Sequence, residues 1–125
     1  MKSYRDLHVW QNGVEFIAEI YRATESFPAR EQYGLTSQLR RSAVSIAANV
    51  AEGHARLSTR EYLRFVSISL GSLAETETHI TVARRLGYFD AKQESQLLGR
   101  CDALSRMLHG LSKSLRTKIR NQAEK

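Results

Sequence analysis

Apolar residues recur along this chain at steps of three and four, in four separate blocks. In the second block, Leu35, Leu39, Ala43, Ile46 and Val50 fall on one helical face. In the third, Tyr62, Val66, Ser69, Leu73, Thr76, Ile80 and Ala83 make one long seam of apolar and small residues. In the fourth, Leu97, Cys101, Leu104, Leu108, Leu111 and Leu115 keep a heptad spacing. The first block carries two stripes: Trp10, Val14, Ile17, Tyr21 and Thr24 in one, with Val9, Phe16 and Ile20 beside it. Such periods bury one face of a helix against a neighbour. The broad face of the first block has two readings, a generous core face or a face partly covered by another subunit.

Punctuation between the blocks predicts where the helices stop. The first helix runs from residue 1 to about 26, because Phe27 precedes Pro28 and is pushed out of the α region. Gly34 permits a bend and Thr36 is a candidate N-cap, so the second helix spans about 36–52, with Gly53 as its C-cap. Ser58 and Glu61 form an S-x-x-E box that starts the third helix, about 58–86. Gly71 in its middle costs about 1 kcal/mol against alanine, which suggests a close helix contact there. Gly87 is the next C-cap, and Asp90 with Gln93 opens the fourth helix. The last residues, up to Lys125, are expected to fray.

Four amphipathic helices on short turns predict an all-α fold, an antiparallel up-down-up-down four-helix bundle, as one domain over 1–125. The length of 125 residues suffices for a core without a disulfide or metal. The one cysteine, Cys101, lies on the fourth seam and reads as a small core residue. The N-terminus lacks an unbroken apolar stretch, and no segment approaches a membrane span, so the expectation is a cytoplasmic protein with no membrane partner. The formal charge of +6 favours polyanions without identifying one.

Catalytic signatures are not found. His8, His54, His79 and His109 are scattered without H-x-x-x-H or E-x-x-H pairs, so neither a metal nor another cofactor is expected. His79 and Glu75 share a face, as solvated residues often do, while Glu75 and Glu77 point apart. No catalytic residue and no small-molecule substrate are predicted. Asn49 is either a buried polar group that fixes helix register or a solvent-facing residue. The arginines remain: Arg60 and Arg64 one turn apart, Arg56 in the turn before them, Arg40 and Arg41 at the far end of the second helix. Arginine's planar fork suits phosphate, and these five are the candidate nucleic-acid contacts. Solvated or salt-bridged charges are the competing reading. A further basic stretch, Lys113, Arg116, Lys118, Arg120 and Lys125 against only Glu124, closes the chain.

Three blocks carry a resemblance. YRDLHVWQNGVEFIAEIY, YGLTSQLRRSAVSIAANVAEG and STREYLRFVSISLGSLAETET closely resemble the bacterial 23S rRNA intervening-sequence proteins, from about Tyr4 to Tyr88. The resemblance implies an antiparallel four-helix bundle that assembles as a homopentamer with a central channel. The accessory proteins of diversity-generating retroelements are similar in fold and assembly, and bind nucleic acid through a basic surface. The family supplies no catalytic residue. Many relatives carry proline where Ala47 stands, so the second helix is expected to be straighter here.

The function expected is therefore that of a non-enzymatic homo-oligomer, a pentamer by resemblance, that binds structured RNA or DNA through phosphates. The alternative is a protein-interaction scaffold without nucleic-acid binding. An enzyme of unrecognised type ranks behind both.

Overall fold

A computed structural model describes residues 3–124. Four helices run in antiparallel succession: α1 (His8–Thr24), α2 (Leu35–His54), α3 (Thr59–Arg85) and α4 (Ala91–Ala123). No strand occurs among the described residues. Contact is densest between α2 and α3, then α3 and α4, and sparsest between α1 and α4.

All five residues of the α2 seam are buried, as are all of the α3 seam except the half-buried Tyr62. In α4, Ser112 is buried and Leu111 only half so. In α1 the stripes divide the work. Val9, Phe16 and Ile20 enter the core with Gly13 and Thr24, whereas Val14 and Tyr21 are 41% and 42% exposed. Both stripes are apolar and adjacent, so periodicity alone does not choose between them.

The helix ends differ from expectation at three places. Tyr4–Asp6 form a separate 3₁₀ turn capped by Ser3, and extended Leu7 separates it from α1. Thr36 is buried inside α2 and does not cap it; the Glu31 carboxylate accepts the Leu35 amide instead, at 3.2 Å. Glu31 also accepts the Tyr88 hydroxyl at 2.9 Å, which ties the α1–α2 loop to the α3–α4 turn. The Leu35 amide first, then Tyr88, holds this carboxyl below its ordinary range. Its contribution to stability is present at neutral pH and lost as pH falls through the lowered value. At the other end of the chain α4 is helical to Ala123, and Lys125 lies outside the described residues.

Gly53 is the third difference. It lies within α2, not after it, and a Cβ there would stand 2.8 Å from Phe65 Cβ and 3.0 Å from Tyr62 Cδ1. Glycine is needed for close approach, not for a left-handed cap. Gly71 is the converse: it is exposed, with nothing within 4 Å of an added Cβ. Gly87, at φ +79°, does end α3 as expected, and Asp90 with Gln93 forms the full capping box. Ser58 accepts the Glu61 amide at 3.0 Å, while the Glu61 carboxylate turns away to Arg64.

Two glycine substitutions should therefore act in opposite directions. Gly53→Ala is expected to lower stability by about 1–3 kcal/mol through overpacking. Gly71→Ala is expected to raise it by about 0.5–1 kcal/mol, by restricting the unfolded chain. Urea unfolding midpoints measure both.

Candidate nucleic-acid interface

The five candidate arginines do not form one patch. Arg40 is half-buried: its Nε donates to Thr24 Oγ1 at 2.8 Å, and its Nη2 to the Tyr21 carbonyl at 3.2 Å. Its guanidinium also lies 4.5 Å from the Tyr21 ring centroid. It thus fastens the C-terminal end of α1 to α2, where a cation suits the helix dipole. Arg41 projects into a separate α2–α3 cleft of about 330 Å³ with Gln38, Ser42, Ser45 and Glu75.

Arg56 and Arg64 meet over Phe65, with guanidinium carbons 4.8 and 4.7 Å from its ring centroid. Each also pairs with a carboxylate, Arg56 with Glu52 at 2.8 Å and Arg64 with Glu61 at 3.1 Å. Exposed pairs of this kind stabilise weakly, and each carboxylate offsets the charge of its arginine. Arg60 is exposed and has no ion pair among the described residues. Tyr62 faces inward, edge-on to His54 with ring centroids 5.7 Å apart, and burial pushes its phenol up. It offers no free stacking face.

A groove of about 410 Å³ lies between α3 and α4. Ser67 and Leu70 line one wall; His109, Ser112, Lys113, Arg116, Thr117 and Arg120 line the other. No carboxylate contributes to the lining. Residues 109, 113, 116 and 120 fall at steps of four, three and four, so one stripe of α4 delivers all the basic groups. Arg60 precedes Ser67 by two turns on the same face of α3. The antiparallel register, marked by the Arg84–Glu94 pair, carries Arg60 toward the height of Arg116 and Lys118. Cations, hydroxyls and an imidazole here can hold oxyanions, and nothing in the lining repels them.

Other candidate chemistry is muted. Burial, then the Glu77 and Asp102 charges, pushes the Cys101 thiol up to about 12, so it remains a thiol at neutral pH. Asn49 is half-buried and donates to Ser45, both to its carbonyl and to its hydroxyl, at 2.8 Å. Its hydrogen bonds thus stay within α2, while Ser45 bridges to Ser72 on α3.

The family model described as 23S rRNA-intervening sequence protein matches residues 5–110. The chain belongs to this family. A crystal structure from the S23 ribosomal protein family, a protein of unknown function from Bacteroides thetaiotaomicron VPI-5482, superposes with a TM-score of 0.75. It is 22% identical, and the alignment covers 84% of this chain and 98% of that one. At that identity the likeness shows the fold alone. No curated protein matches the chain. The family match ends before Lys113, so it does not speak to the basic turns of α4. No helix among the described residues is long and apolar enough to cross a membrane.

Sequence reasoning noted the basic run at the chain's end but did not place it in the site. Its signal was the 109, 113, 116, 120 spacing, which only a helix reaching Ala123 makes meaningful. Replacing Arg40 should expose its different role. Arg40→Gln is expected to cost about 1–3 kcal/mol of stability, from lost hydrogen bonds of a charged donor. Thermal unfolding beside an RNA-binding assay checks that affinity stays near that of the parent.

Proposed function

We propose that this protein is a non-enzymatic, homo-oligomeric nucleic-acid-binding bundle that grips phosphates of structured RNA or DNA. The observation that carries the reading is the carboxylate-free α3–α4 groove, with Lys113, Arg116 and Arg120 along one wall. Arg60 extends it; Arg56 and Arg64 are ion-paired near the start of α3, Arg41 belongs to the separate α2–α3 cleft, and Arg40 serves the fold. The formal charge of +6 draws polyanions toward the surface. Phosphate contacts position a nucleic acid without reading bases, so sequence preference should be weak.

Titration of a labelled RNA hairpin at rising salt tests this. Affinity is expected to fall steeply and linearly in log–log form. Lys113→Ala or Arg116→Ala should each lower the slope by about one. Absence of binding even at low salt would overturn the proposal.

Assembly is supported separately by α1. Val14 and Tyr21 stand exposed on its outer flank beside the half-buried Trp10 and Ile17. An apolar stripe of this kind fits a head-to-tail contact between copies, and such contacts form a ring where the rotation between copies closes. A pentamer is the size that the sequence resemblance implies. Light scattering should give a multiple of 14.2 kDa, and a clean monomer at micromolar concentration would rule the ring out.

The same stripe favours a second reading, a protein-interaction scaffold with no nucleic-acid role. Partners recovered from nuclease-treated lysate would support it, and their loss after nuclease would count against it.

A further inference from the structure

The α3–α4 groove contains one group that simple charge attraction does not use, the imidazole of His109. Its Nδ1 lies 2.9 Å from the Ser105 carbonyl oxygen and 3.3 Å from Ser105 Oγ. A carbonyl oxygen only accepts, so Nδ1 carries the proton of the neutral ring. Nε2 is then left as a bare lone pair on an exposed side chain at the groove.

The charges around this ring are one-sided. On α4, Arg106 and Lys113 lie within one turn of it and Arg116 one turn further, while Asp102 is two turns back. The facing wall of α3 supplies Ser67 and Leu70, neither of which titrates. The opposite flank of α4 faces α1, through the Arg100–Glu19 pair at 2.7 Å. A phosphate held by Lys113 and Arg116 places a negative charge and an acceptor beside that lone pair, which favours a proton there.

We propose that His109 is a proton-linked phosphate ligand: a phosphodiester entering the groove brings a solvent proton onto Nε2, and this N–H donates to a phosphate oxygen. The inference rests on the phosphate reading of the groove. Its sign is fixed by linkage. The bound state holds more protons than the free state, so affinity rises as pH falls. One proton limits the change to about tenfold per pH unit. Arginine, lysine and phosphodiesters keep their charge between pH 5 and 8, whereas imidazole does not.

The experiment titrates a short RNA hairpin, carrying a pH-insensitive dye, at fixed salt from pH 8 to pH 5.5. The parent protein, His109→Gln and His8→Gln are compared; His8 lies at the start of α1 and does not line the groove. Parent affinity is expected to rise roughly fivefold or more across the range. The rise should persist in His8→Gln and vanish in His109→Gln. In NMR spectra, the midpoint of the His109 ring signal should move upward when RNA is added. A flat parent profile, a rise that survives in His109→Gln, or an unmoved midpoint would overturn the inference while leaving phosphate binding intact. Failure to bind at every pH would remove the phosphate reading and this inference together.

Discussion

The close approach of α2 and α3 is the constraint on which the rest of the structure depends. Small residues make it possible, and hydroxyls make it tolerable. Gly53 gives Phe65 the space of a missing Cβ. Ser69 Oγ donates to the Ile46 carbonyl at 2.7 Å, Thr76 Oγ1 lies 2.8 Å from Ser42 Oγ, and Ser45 meets Ser72 at 2.8 Å. Each buried hydroxyl has a partner, so the interface avoids the cost of desolvated polar groups. His79 Nε2 is the exception among the described residues; Glu75 is 3.6 Å away, beyond a good hydrogen bond.

That hairpin sets the height and rotation of α3, and α3 in turn positions α4. The Leu97–Leu115 seam then fills the far side of the core. Burying each such leucine contributes roughly 1.5–3 kcal/mol, so the rotation of α4 is strongly specified. Its polar flank follows without further choice. The basic stripe faces the α3 wall because the apolar stripe beside it must face inward. The basic groove is thus a by-product of core packing.

Periodicity made the helices and three of the four core seams legible, because a buried face repeats wherever a helix packs. Three things were hidden by ambiguity in what a residue signals. Glycine serves both left-handed caps and close contacts, so Gly53 and Gly71 each suggested the wrong role. Two apolar stripes on α1 left the inner one undecided until the neighbours were in place. Arginine, likewise, carries the same charge whether it binds a ligand or fastens a helix end, as Arg40 does to Thr24 and Tyr21. The groove itself joins positions about forty residues apart, Ser67 with His109, and no local pattern links them. The two stripes could each be seen in the chain, but their meeting could not.

The weak attachment of α1 to α4 has a dynamic consequence. Along that flank the Glu19–Arg100 pair bridges the two helices, whose backbones approach each other at fewer places than those of the other neighbouring pairs. Cooperative units open in order of the contacts that bind them. Amide protons of α1 should therefore exchange with solvent ahead of those in the α2–α3 hairpin. Transient release of α1 bares Phe16 and Ile20, so a copy of the chain caught in that state presents a wider greasy seam than the closed molecule does.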